Sequence, residues 1–290
     1  MVIIVFLFTL FMMLINVLPL ILIAWFIGSS NLFGSKNKYG YINNKKILYE
    51  KVPIYTEIPC NKDIYYANVL LKLNNFPNYK ETNIFGAIIL KWLKEEKIVI
   101  NNESKSGFNI ETSIIDLTKN PEFDSTLEGN LFNLLYEVSN DGLLEPIELE
   151  NICKYNYERF LQIFKDMNFE KISELKMNNN IHDKTPEDHC RMGNVMDDII
   201  YKDSIELYGL KKYLTNFTDM ANKEVKDVQL WDEYLMFAYL FGIADKVSSQ
   251  FKLVDPEIKE TTEYYDLDTS FLSFIDKLTN YILTNIFKWH

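Results

Sequence analysis

From Met1 to Ile27 the chain holds no charged side chain, and Thr9 and Asn16 are its polar interruptions. At 1.5 Å rise per residue this run covers a hydrocarbon core of about 30 Å with length left for tilt, so the pattern predicts a transmembrane helix over residues 1–28. A cleaved signal peptide would need a basic stretch ahead of a shorter apolar core, and no Lys or Arg precedes this one. Residues 29–62 show no sustained period and read as a juxtamembrane linker with one short extended piece, Val52–Ile58. Regular patterning begins at Asp63. Ile64–Leu73 reads as a helix broken by Asn74-Asn75-Phe76-Pro77. Thr82 then caps a second helix over 82–96, whose Ile84, Phe85, Ile88, Ile89, Trp92 and Leu93 form one wide apolar stripe. The period switches to strand at Lys97–Asn101, turns at Glu103–Gly107 and alternates again through Phe108–Ser113. Helix, turn, helix, hairpin is the order of a winged-helix unit, placed at 63–120.

A second winged-helix-like unit is expected over 121–177. It comprises a helix at Leu127–Val138 stopped by Asn140-Asp141-Gly142, a short helix at Ile147–Cys153, and a longer one carrying Tyr157, Phe160, Leu161, Phe164 and Met167. Phe169–Leu175 fits either helix or strand. Residues 178–203 are the least patterned and read as a polar surface loop. Helices follow at Ile205–Phe217, Val228–Phe241 and Ile243–Phe251, making a helical subdomain over 204–255. Residues 256–290 end in an amphipathic helix, Phe271–Trp289, suited to lying on a membrane or docking on the body. The predicted fold class is therefore mainly α with small β-hairpins behind one transmembrane helix.

Charge divides the chain in the same place. The net charge is −11, yet residues 1–51 carry five Lys against Glu50, which leaves −15 for the remainder. All five of these Lys follow the apolar run and none precedes it. The positive-inside rule then puts the N-terminus outside and the body on the cytoplasmic side of a cell membrane, as a single-pass protein. Cys60, Cys153 and Cys190 are odd in number and widely spaced, which suits a reducing compartment. Nucleic-acid binding calls for a positive surface rich in Arg. The body is strongly acidic, holds only Arg159 and Arg191, and mixes Lys91 and Lys94 of its candidate recognition helix with Glu81, Glu95 and Glu96. Nucleic acid is accordingly not an expected partner.

Gln229-Leu230-Trp231-Asp232-Glu233-Tyr234-Leu235 leads through an aromatic helix into Gly242-Ile243-Ala244-Asp245-Lys246-Val247. This stretch resembles the hallmark of the YciQ-like predicted membrane proteins, a family of unknown function. Gly209-Leu210-Lys211-Lys212-Tyr213-Leu214-Thr215-Asn216-Phe217 looks like the helix that precedes the hallmark, and Gly86–Val99 like the family's helix running into a strand. The similarity spans residues 63–255 and concerns the family's cytoplasmic C-terminal part. It departs at 178–203, polar here where relatives often carry an apolar hairpin, and in the final helix, which stands where relatives carry a Gly-rich tail. The resemblance implies membrane attachment and supplies no catalytic residues to carry over.

Trp231, Tyr234, Leu235, Ala238 and Tyr239 share one helix face, with Asp232 and Glu233 opposite, so Trp231, Tyr234 and Tyr239 read as a packing stripe or as an interaction surface. His182, His189 and Cys190 are the weak metal candidates, in a spacing that matches no standard zinc site. No phosphate loop or nucleophile elbow occurs, and no cofactor is expected. The sequence is read as a membrane-tethered protein-interaction or scaffold module with an unidentified protein partner, ahead of a membrane-anchored DNA-binding regulator and of a metal-dependent enzyme using the His182–Cys190 loop.

Overall fold

The computed structural model describes residues 39–42, 45–77, 79–105, 110–145, 148, 155–182, 195–216, 231–244 and 246–247. The transmembrane helix expected at 1–28, the short helix at 147–153 apart from Glu148, and the amphipathic helix at 271–289 lie outside the described residues. No helix among the described residues is long and apolar enough to cross a membrane.

Six α-helices and three small sheets are described. A hairpin of β1 (Tyr39–Ile42) and β2 (Lys45–Leu48) comes first. Helix α1 (Ile64–Leu73) and helix α2 (Asn83–Lys94) follow, then β3 (Val99–Lys105) and β4 (Ile110–Asp116), paired antiparallel with Ile100 opposite Ile115. Helix α3 (Thr126–Ser139) leads to β5 (Leu143–Leu144). Helix α4 (Tyr157–Met177), the short pair β6 (Ile181–His182) and β7 (Val195–Met196), helix α5 (Asp198–Thr215) and helix α6 (Trp231–Leu240) complete the order.

Helix, helix and hairpin thus occur in the expected order, with the following differences and additions. First, β5 lies at Leu143–Leu144, where the sequence pattern set no strand. It joins the edge of the first hairpin, with Leu144 opposite Ile115, because the left-handed Asn140 and Gly142 turn the chain back from α3 onto β4. Second, α4 continues through Phe169–Leu175, since Phe160, Phe164, Met167 and Leu175 keep a helical spacing and all are buried. Third, 178–203 is not wholly loop. Ile181 is buried in the β6–β7 pair, and α5 starts at Asp198 because the Asp197 side chain accepts the Ile200 N–H at 2.8 Å. The hairpin is also longer than expected, with Glu103–Lys105 still in β3.

Helix α2 is the centre of the core. From Asn83 to Leu93 every residue except Lys91 is buried. Phe85 meets the edges of Phe160 and Phe164 on α4, with ring centroids 5.2 and 6.3 Å away, while Trp92 packs against Phe123 and Phe132 at 5.1 and 5.8 Å. Thr82 makes no cap bond to α2; the neighbouring Asn83 instead donates to the Leu240 carbonyl at the end of α6.

Four helices stop by one device, in which a left-handed residue lets the next N–H reach back five positions. Phe76 donates to Leu71 after Asn75, Lys97 to Trp92 after Glu96, Asn180 to Leu175 after Asn179, and Ile243 to Ala238 after Gly242. Asn, the best non-glycine host for this backbone region, stands at two of the four in a chain with 29 Asn and 10 Gly.

At the end of α2, Glu128 of α3 is 5% exposed and accepts from Lys91 at 2.7 Å and from the Trp92 indole at 2.8 Å. Burial alone would raise its pKa, but the Lys91 and Trp92 hydrogen bonds outweigh that and hold the carboxyl below its usual range. A depressed carboxyl adds stability that is present above its ordinary value and lost as pH falls through the lowered one. Replacement Glu128→Ala leaves the buried indole N–H without its acceptor and half-buried Lys91 with Glu95 alone, and is expected to cost about 2 kcal/mol, read as a shift in urea midpoint followed by Trp fluorescence. In Glu128→Gln the acid-induced loss of stability below about pH 4.5 is expected to shrink.

Candidate functional site: the α5–α6 clamp and its strap

Helix α6 was expected to show one apolar face and one acidic face. The structure buries it on all sides: Tyr234, Leu235, Met236, Phe237, Ala238, Tyr239 and Leu240 are each 8% exposed or less, and Glu233 is 7% exposed. Its tightest crossing is with α2. A Cβ built on Gly86 would lie 2.4 Å from the Tyr239 ring, so the glycine is what allows the two helices to touch. Glu233 is drawn inward by cations from two other elements, accepting from Lys94 of α2 and from Lys62 at 3.4 Å. Burial opposes ionisation there, and the Lys94 hydrogen bond more than offsets it, so the Glu233 carboxyl sits below its ordinary value. Of the carboxylates that the sequence sets beside Lys91 and Lys94, Glu95 does meet Lys91. Lys91 reaches Glu128 and Glu95, Lys94 reaches Glu233, and Glu81 takes Lys72.

Residues 49–62, read from sequence as part of a linker, form a strap across α5 and α6. Val52 and Cys60 are buried at 5% and 3% exposure. The strap is held mainly through its backbone carbonyls. Lys212 of α5 donates to the carbonyls of Glu50 and Val52, each at 3.0 Å, and the Tyr234 hydroxyl of α6 donates to that of Thr56 at 2.7 Å. Between these points the Pro53 carbonyl lies over Gly209, where an added Cβ would approach to 2.6 Å. Tyr49 meets the edge of Tyr208 at one end, and Tyr213 packs on Tyr234 beneath. The Cys60 thiol is pushed well up by burial and by the carboxylates of Asp203, Asp63 and Glu206, so it stays protonated and unreactive.

The strap ends in a rare backbone segment. Cys60, Asn61 and Lys62 have φ of 59°, 52° and 65°, three left-handed non-glycine residues in a row. Each costs roughly 1–2 kcal/mol. Asp63, which accepts the Tyr65 and Tyr66 N–H groups at 2.9 and 3.0 Å, and the Lys62–Glu233 pair hold the turn in place.

Lys211, next along α5, is 8% exposed. It donates to the Pro77 carbonyl at 3.0 Å and lies 4.8 Å over the Phe76 ring, so its ammonium is met by a carbonyl and a ring face. Burial lowers its pKa to about 8.

Of the residues singled out in the sequence, Tyr234 and Tyr239 face inward, at 1% and 4% exposure, while the side chain of Trp231 lies outside the described residues. The backbone of His182 is in β6; its side chain, His189 and Cys190 are likewise outside them. Among the described residues no three His, Cys, Asp or Glu side chains converge as metal ligands. Sequence reasoning missed the roles of Gly209, Lys212 and Glu233. A glycine one turn before a Lys pair inside a helix, with two prolines upstream in an aperiodic segment, was the available signal.

One family model, described as Predicted membrane protein (DUF2207) C-terminal domain, matches residues 205–251. That span takes in most of α5 and all of α6, the two helices that carry the clamp. No curated protein and no solved structure matches the chain.

Two measurements check the packing. Gly86→Ala gains helix propensity but overpacks the α2–α6 crossing, with an expected net loss of about 1–3 kcal/mol in denaturant unfolding. For Lys211, the unfolded chain binds the proton more tightly than the native one, so its contribution rises between pH 8 and about 10.5 as the buried cation is lost. Lys211→Met is expected to remove that rise and to raise stability at pH 7 by roughly 1–4 kcal/mol, read from urea midpoints at pH 7 and 9.5.

Proposed function

We propose that the chain is a single-pass, membrane-tethered protein-interaction module, anchored by residues 1–28 with its acidic body on the cytoplasmic side and related to the YciQ-like membrane proteins. The apolar opening run, the Lys collar behind it and the predicted-membrane-protein family match support the tether. Residues 63–120 are read as winged-helix-like from their helix–helix–hairpin order. The burial of α2 on nearly every side favours a structural use of that helix over one that offers a face to a DNA groove.

The observation that carries the interaction reading is a set of apolar side chains turned outward where α4 and α5 meet. Asn180 and Asp197 join the two helix ends through a side-chain bond of 2.7 Å and a backbone bond of 3.1 Å. Met177 and Ile199 stand on either side of this joint at 77% and 64% exposure, and Phe169, two turns earlier on α4, is 72% exposed. Exposed Glu170, Glu174 and Asp198 rim them. Lys165 and Lys202 are exposed beside them too, and an aromatic and a Met within a rim of mixed charge have the composition of an interface core.

The double change Phe169→Ser with Met177→Ser is expected to leave thermal stability within about 0.5 kcal/mol of the parent, since both side chains face solvent. It is also expected to abolish the adducts formed in native membranes by a photocrosslinker placed at Ser173. An unchanged adduct pattern would refute the assignment of this surface.

A further inference from the structure

We propose that the α5–α6 face is a peptide-binding groove occupied in cis by residues 49–59, and that the strap is a displaceable internal ligand. The occupant that replaces it is a peptide segment of the same backbone conformation, a 3-10 turn over its first three residues followed by an extended run that holds the prolines. This rests on the reading of the chain as an interaction module and assigns that module a second, regulated surface.

The mode of attachment carries the inference. Here the groove reads backbone: Lys212 takes the carbonyls of residues 50 and 52, Tyr234 takes that of residue 56, and Gly209 makes room for that of Pro53. Capture of main-chain acceptors at fixed spacing is how proteins bind extended peptides with little regard to sequence. Pro53 and Pro59 favour the extended backbone that such a groove accepts and offer no N–H that would need a partner. Ile54 is 47% exposed, and Pro53, Thr56 and Glu57 also face solvent, while Val52 and Pro59 are buried and Tyr49 and Ile58 pack against the core at the two ends of the segment.

The end of the strap favours release. Three successive left-handed residues, Cys60 to Lys62, form the turn that closes the strap, and besides its local hydrogen bonds and the Asp63 cap the turn is tied to the body through Lys62 and Glu233. Departure of the strap relaxes that turn, whereas Glu233 keeps Lys94 as its partner, so the body does not lose the counter-charge of a buried carboxylate. In sequence the strap is also the stretch between the apolar N-terminal run with its Lys collar and the first core helix. A change in the position of the anchor relative to the body therefore acts on the groove first.

The test uses the full chain in detergent micelles and a fluorescent peptide of residues 49–59, read by anisotropy, so it does not depend on an unidentified partner or on the Phe169–Met177 surface. The unaltered chain is expected to bind the peptide weakly, because the groove is filled. Val52→Asp, which unseats the strap but leaves the groove intact, is expected to bind at least tenfold tighter, and adding Lys212→Met and Tyr234→Phe to it is expected to reverse that gain. Equal binding by the unaltered chain and Val52→Asp, or indifference to the Lys212 and Tyr234 changes, overturns the proposal. If Val52→Asp fails to unfold cooperatively, amide hydrogen exchange on the unaltered chain decides. Residues 54–58 are expected to exchange at least a hundredfold faster than α2, and faster again in Tyr234→Phe; exchange at the rate of α2 overturns it.

Discussion

The contact between Gly86 and the ring of Tyr239 sets the spacing of the whole body. Because α2 and α6 touch there without a side chain between them, α6 sits deep enough for its own acidic first turn to be covered. The aromatic residues around it, Tyr234, Phe237 and Phe241, then face protein on every side. Widening that crossing would leave these rings without neighbours. It would also move the Leu240 carbonyl away from Asn83, which satisfies one of the free acceptors at the end of α6.

Burial of α2 creates an electrostatic demand that two carboxylates meet from different directions. Lys91 and Lys94 lie in the last turn, where cations favour the helix dipole, and are taken by Glu128 from α3 and Glu233 from α6. Each carboxylate lies close to fully buried aromatic packing, so each ion pair fixes the position of a helix against α2 rather than decorating a surface. Both cations keep part of their surface in solvent, while the carboxylates they reach are buried.

Much of the local structure was legible in the sequence, and most of the tertiary placement was not. The extents of α1 and α3 follow from apolar period and stop residues, and the strand switch after Trp92 follows from β-branched alternation. The Glu96 stop was not legible, because Glu carries no turn signal. The depth of α6 was hidden too: Glu233 looks solvated until Lys62 and Lys94 arrive from residues more than a hundred positions upstream. The strap was missed for a similar reason. Its hydrogen bonds involve carbonyls, which every residue has, so nothing in the side-chain pattern of residues 49–59 distinguishes a bound extended segment from a free one. The inward placement of Tyr234 and Tyr239 agrees with the packing alternative for that stripe.

The separation between Gly86 and Tyr239, about 150 residues along the chain, has a consequence for how the protein is made. Synthesis proceeds from the N-terminus, so α2, the most apolar helix of the described body, leaves the ribosome long before the helix that covers it exists. Its local partners α1 and α3 can shield two sides, but the Gly86 side stays bare until α6 emerges. Closing so long a loop is slow and exposes aggregation-prone surface while it lasts. A body of this topology completes its folding with nearly the last segment described rather than growing outward from the first.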